Sequence, residues 1–230
     1  MGLSGPTPGG NISLIGRRDV LALAASAAVG GMPDLARAAG PVGQLTYGVH
    51  ISLAPTWFEP AETPSLVTPY MLYYALHDAM LKPMPGELMA HSLAESWSAT
   101  EDGMSYSFVL RDGVTFHNGE KVTAEDVKFS FERYRGAAKA PLHDRVASVE
   151  VQDARHIQFK LKNPWPDFLT FYAATTGAGW IVPKKYVEKV GDDGFKKAPV
   201  GAGPYKVVSS IPAWSSCWRR STGTGARCLP

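Results

Sequence analysis

Hydrophobic and polar positions along this chain switch between a period of two and a period near 3.6, and the switches mark out its elements. Gln44-Leu45-Thr46-Tyr47-Gly48-Val49-His50-Ile51 alternates, which predicts a first strand. Pro55, Pro60, Pro64 and Pro69 break up the connection that follows. "YMLYYALHDAML", residues 70–81, is apolar at helical spacing, and Pro83-Met84-Pro85-Gly86 would end that helix. Ser105 to Arg111 predicts a half-buried strand with Tyr106, Phe108 and Leu110 on one face. Asp112-Gly113 leads into a short strand, Val114-Thr115-Phe116, and Asn118-Gly119 turns the chain again.

Thr123-Ala124-Glu125-Asp126 has the form of a capping box. The helix it opens places Val127, Phe131 and Tyr134 on one stripe and Lys128 opposite Glu132 outside, with Gly136 placed to end it. Strands over 146–151 and 156–162 form a hairpin around Asp153-Ala154-Arg155, with Ile157, Phe159 and Leu161 facing inward. Helices follow near Pro166–Ala174 and Pro183–Val190, then the turn Gly201-Ala202-Gly203-Pro204 and a strand from Tyr205. The pattern is α+β, mixed sheets with hairpins and flanking helices, without internal repeats.

Composition changes this picture little: 230 residues, 45% hydrophobic, 19% charged and a formal net charge of +2 are ordinary for a chain that buries a core. So small and mixed a charge argues against nucleic acid as a partner. The N-terminus changes more. Arg17-Arg18 precede the small-apolar run Val20 to Val29, and Leu35-Ala36-Arg37-Ala38-Ala39 holds a small-x-small cleavage pattern. That order is a charged n-region, an h-region too short to span a bilayer and a cleavage site. Residues 1–39 are therefore expected to be an export signal cleaved near Ala38/Ala39, delivering the product to the periplasm. The paired arginines resemble a twin-arginine signal, with Gly16 where Ser or Thr is usual; a Sec signal is the alternative.

Candidate chemistry is sparse. The sequence has no nucleophile elbow, phosphate loop or zinc motif, so no catalytic residue, metal or cofactor is expected. Gly201-Ala202-Gly203 begins like a dinucleotide fingerprint, but Pro204 and the strand behind it remove the helix that would hold a pyrophosphate. His50, His77, His91, His117, His143 and His156 are scattered, each expected at a surface or in a hydrogen bond. His77 and Asp78 are adjacent on a predicted helix, where neighbours point apart.

Residues 93–133, "LAESWSATEDGMSYSFVLRDGVTFHNGEKVTAEDVKFSFER", carry a run of ordered matches. Ala94, Ser96 and Trp97 come before the Asp102-Gly103 turn, then Leu110 to Val114, Phe116, Asn118-Gly119, Val122, Ala124 and Asp126-Val127. Pro199 to Val207 and Thr56 to Ala61 add a Gly-x-Gly-Pro-Tyr turn and a loop with Glu59-Pro60 where Asp-Pro is usual. Together they resemble the periplasmic solute-binding proteins of peptide- and nickel-type ABC importers, family 5. The resemblance covers nearly everything from Leu45 to Val208. It implies the first-lobe portion of a two-lobe periplasmic-binding-protein fold, residues 40–210, with the second lobe absent.

It also implies a function: a monomer that captures a small peptide or peptide-like solute and delivers it to an ABC permease in the inner membrane. The first-lobe wall would be built from His50 to Trp57, Tyr70 and Thr175 to Trp180. His50, Trp57, Tyr70, Thr175, Gly177 and Gly179 are the ligand-binding candidates, the aromatic rings offering flat apolar faces and the glycines close backbone approach. An exported enzyme with an unrecognised site is the second reading, and a stand-alone interaction module the third.

Residues 211–230 read differently from the rest. Both cysteines, Cys217 and Cys228, and two of six tryptophans fall there, without a strand or helix period. The family's usual continuation is apolar-Glu-Leu-apolar-Leu-Glu-Ala. Taking the third base of each codon with the first two of the next, Trp214 to Arg220 permit V-E-L-V-L-E-A, and Trp218 after Cys217 must become Leu. Gly223 to Ala226 permit G-Y-W-R. A frameshift after about Pro212 is the expectation, making the tail out of frame and the product truncated.

Overall fold

The alternation over residues 105–110 and 156–161 builds the centre of the fold. A computed structural model describes residues 58–62, 68–173, 176–211 and 215–220, all within the compact unit Thr46–Pro230. Strands β4 (Ala94–Ala99), β5 (Ser105–Leu110), β7 (His156–Leu161) and β6 (Val146–Val151) form an antiparallel sheet in that order. The register sets Tyr106 opposite Phe159 and Phe108 opposite Ile157, so the apolar members of both strands share one face. Two of the elements covering the sheet's strands are α2 (Ala124–Glu132) and α4 (Phe168–Tyr172). Phe159 meets Phe131 at 5.3 Å edge-on and Tyr172 at 4.7 Å, and Phe108 meets Tyr172 at 5.7 Å. Each of these rings is buried, contributing about 1.5–3 kcal/mol apiece.

The capping box forms, and does more than cap. Asp126 Oδ2 accepts the Thr123 N–H at 2.9 Å and the Thr123 hydroxyl at 2.7 Å. Its other oxygen accepts the Lys184 N–H at 2.9 Å, at the first residue of α5 (Lys184–Lys197). One carboxylate thus holds together the N-termini of two helices, where unpaired N–H groups and the helix dipoles favour negative charge. Helix α2 ends at Glu132 rather than near Gly136. Gly136 serves a different purpose: a side chain there would collide with the Tyr134 ring, 2.6 Å away.

Several elements depart from the sequence reading. The helix predicted over 70–81 is α1, Thr68–Leu76, and stops five residues early. Residues 78–79 form β1 (Asp78–Ala79), paired with β8 (Trp180–Ile181). Next come the hairpin strands β2 (Leu81–Met84) and β3 (Glu87–His91) around Pro85-Gly86. Leu76, His77, Ala79, Met80 and Leu81 are all buried around a half-buried Asp78, and a run with so little exposed face looks alike as helix or strand. The predicted strand 114–116 reduces to a bridge between Thr115 and Lys121.

Sequence reading also missed β3, β4 and the short helix α3, Lys139–Arg145. It ended α5 at Val190, where Gly191 (φ +71°) interrupts the helix and a further turn follows. The tail was expected to lack regular structure. Instead Ser215–Arg220 (β10) pairs antiparallel with Tyr205–Ile211 (β9), because backbone pairing needs no hydrophobic period. The expected first strand at 44–51, the export signal with Arg17 and Arg18, the cleavage site near Ala38/Ala39 and residues 221–230 lie outside the described residues.

Candidate functional site

Of the three stretches expected to form the solute wall, the first, His50 to Trp57, lies outside the described residues, while the loop that follows it, helix α1 and the stretch from Thr176 meet. The loop Phe58–Glu62 is tied through its carbonyls to α1 and the residue after it: the Tyr73 hydroxyl donates to Glu59 O at 3.2 Å, and His77 Nε2 lies 3.0 Å from Phe58 O. The third stretch, from Thr176 to Ile181, reaches both. Trp180 is buried against Tyr73 at 5.6 Å and Tyr74 at 5.3 Å, and Gly177 backs onto Pro60 O, 3.5 Å from where its Cβ would be. The Tyr134 hydroxyl donates to Thr176 O at 2.5 Å and accepts the Ala138 N–H at 3.1 Å, locking the stretch to the chain after α2.

Of the predicted residues, Gly177 and Gly179 are buried in this third stretch. Gly177 has φ +91°, a conformation other residues rarely adopt. A Cβ on Gly179 would collide with Tyr172 O, and the Gly179 carbonyl accepts the Met80 N–H at 2.9 Å. Gly179 therefore lets backbone pack on backbone, whereas at Gly177 the positive φ is what calls for glycine. Tyr70 lies in the first turn of α1. His50, Trp57 and Thr175 lie outside the described residues.

Sequence reading missed a charge network behind the wall. Glu59 is fully buried and takes a two-bond fork from Arg133, at 2.8 and 3.0 Å; its Oε1 also accepts the Ala61 N–H at 2.9 Å. Arg133 also reaches Asp192 at 2.7 Å, and Arg135 bridges Asp192 and Glu62, each at 2.7 Å. Lys196 completes it on Glu62 at 2.5 Å. Asp192 is held below the usual carboxylate range by hydrogen bonds from Arg135, partial burial opposing, and then from Arg133. Burial pulls on Glu62 the other way, but hydrogen bonds from Lys196 and Arg135 outweigh it and hold that carboxyl low as well. The hint in the sequence was Glu59-Pro60, whose arginine partner stands 74 residues on.

A second lock holds the Gly201-Ala202-Gly203 turn. His117 Nε2 donates to Gly203 O at 2.8 Å while its Nδ1 accepts the Gly201 N–H at 3.3 Å, which sets the tautomer. The Gly203 N–H caps Leu76 O at 2.9 Å, ending α1. His77 and Asp78 lie beyond the end of α1 and not, as expected, on a helix. Burial pushes the His77 pKa down to about 3, and Asp78 bonds Lys82 and Ser92 instead. Among the described residues no group of three or more His, Cys, Asp or Glu could hold a metal ion. Two open cavities of about 310 Å³, one beside His117 and Lys206 and one beside Phe131 and His143, include none of the wall residues.

Comparison with known proteins bears on this geometry. The model of bacterial extracellular solute-binding proteins, family 5 middle, matches residues 89–216. Di/tripeptide-binding protein 2 of Pseudomonas aeruginosa is 30% identical over 213 residues, covering 81% of this chain and 37% of its own. MoaA from A. tumefacien, solved in complex with mannopinic acid, is 28% identical with a TM-score of 0.62, covering 71% of this chain and 34% of its own. Haemophilus influenzae OppA, solved in complex with RPPGFSPFR, is 26% identical with a TM-score of 0.62, covering 72% of this chain and 36% of its own. The chain thus spans little more than a third of the length of these relatives. Matched over more than half its residues, and folded as part of a periplasmic binding protein, the chain belongs to the bacterial extracellular solute-binding proteins of family 5.

Proposed function

We propose that this chain is the first-lobe part of the solute-binding component of an ABC importer. It is exported by the signal at 1–39 and works in the periplasm as a monomer, presenting a peptide-like solute to a membrane permease without catalysis of its own. The observation that carries this reading is the alignment with Di/tripeptide-binding protein 2 over 81% of the chain. His50, Trp57, Tyr70, Thr175, Gly177 and Gly179 are the residues we assign to that wall, and Arg17 and Arg18 to the export signal.

One wall leaves a face of the solute in water, and burying most of a ligand's surface is what gives such sites affinity. These 230 residues by themselves would accordingly bind weakly, and we read the stretch after Pro212 as the out-of-frame form of a strand that continues the lobe. Calorimetric titration with a pool of dipeptides and tripeptides tests both points. The 230-residue chain should bind at millimolar strength, about 4 kcal/mol, and the product of the shifted frame at micromolar strength or better, about 8 kcal/mol. No peptide binding by either product would refute the solute-binding reading; micromolar binding by the 230-residue chain would refute the one-wall argument.

A further inference from the structure

The charge network behind the wall is more than a stabilising contact. Replacing a buried ion pair with apolar groups of the same size is often neutral or favourable, so a fully buried Glu59 is poorly explained by stability alone. Its geometry has a direction instead. Four of its links run from the chain just after α2, or from α5, to the five-residue loop 58–62. Arg133 forks onto Glu59, the Arg135 N–H donates to Ala61 O at 2.7 Å, and Arg135 and Lys196 share Glu62. Gly191, at φ +71°, breaks α5 so that Asp192 meets both arginines. The next residue back along the chain from this loop is Trp57.

We propose that Arg133 is a positioning residue for solute binding. Through Glu59 it holds the 58–62 loop against α1 and the 176–181 stretch, so that affinity depends on a guanidinium that does not itself touch solute. This rests on the solute-binding reading above. A lysine at 133 keeps the charge but supplies a point donor where the fork gives two parallel bonds in a fixed plane. It should therefore loosen the loop without unfolding the sheet.

The test is hydrogen exchange on the 230-residue chain and Arg133→Lys, with saturation-transfer NMR against the same peptide pool. In the variant, amides of 58–62 should exchange about tenfold faster while those of 105–110 and 157–161 keep their rates. Peptide affinity should fall about fivefold or more. Unchanged loop exchange would overturn the proposal, as would faster loop exchange with unchanged affinity. If Arg133→Lys exchanges faster everywhere, Asp192→Asn, which leaves the fork intact, must show the loop-restricted effect in milder form, or the proposal falls. A wild-type chain that binds no peptide, with a loop that still loosens, would instead refute the solute-binding reading.

Discussion

Replacing Gly203 with alanine should be among the most damaging single-methyl additions to this chain. The new Cβ would stand 2.5 Å from Ala75 O and 2.6 Å from the Leu76 carbonyl carbon. Ordinary C···O contact begins near ~3.3 Å, so the turn would have to retreat by roughly 0.8 Å. That displacement stretches the Gly203 N–H to Leu76 O bond beyond useful length from 2.9 Å, and pulls Gly203 O away from His117 Nε2, now 2.8 Å distant. Overpacking of this kind costs about 1–3 kcal/mol, and a lost buried hydrogen bond about 1 more, for roughly 2–4 kcal/mol in all. Gly86→Ala is the control, since no atom lies within 4 Å of its Cβ direction and only its φ of +86° is unfavourable. That change should cost about 1–2 kcal/mol. In urea, with a slope of about 2 kcal/mol per molar, Gly203→Ala should lower the midpoint by about 1–2 M and Gly86→Ala by under about 1 M. Equal midpoints for the two variants, or a Gly203→Ala protein within about 0.5 kcal/mol of wild type, would refute the close-contact account of the turn.

Asp126→Ala removes the acceptor for Thr123 and Lys184 at a buried position, and should cost about 2–4 kcal/mol by urea unfolding, with Asp126→Asn between the two. An Ala variant within about 0.5 kcal/mol of wild type would show that the two helix starts need no shared anchor. Stability should also depend on pH through His77. Its folded pKa is about 3 against 6.5 when exposed, so the unfolded chain takes up the proton first. The stability from keeping it neutral is complete above the exposed value and is lost progressively as pH falls toward 3, about 2–3 kcal/mol by pH 4.5. His77→Gln should flatten the urea midpoint between pH 7 and 4.5 relative to wild type, and parallel profiles would mean His77 is not buried neutral.

Legibility followed the range of the forces involved. Strands β5, β6 and β7 were readable to within a residue because Tyr106, Phe108, Leu110, Ile157, Phe159 and Leu161 each declare a face through neighbours two positions away. Asp126 was readable as a cap because its partner is three residues off, but its bond to Lys184 across 58 residues was not. In the candidate site, Gly177 and Gly179 could be singled out, but for close approach to a solute; that a Cβ on Gly179 would meet Tyr172 O, and that Gly177 takes a φ of +91°, could not be read.

The amino-acid sequence by itself determined the class of the fold, its central strands, the capped helix α2 and, through its ordered run of motifs, the family. Only the tertiary structure decided that α1 stops at Leu76, that Gly201 and Gly203 exist to let a turn seat on its carbonyls, and that a buried Glu59 meets Arg133. Patterns along a chain record which face of a segment leaves water. They carry no record of which distant backbone or charge that face will meet, because those partners are set by chain crossings that bring remote residues within bonding distance.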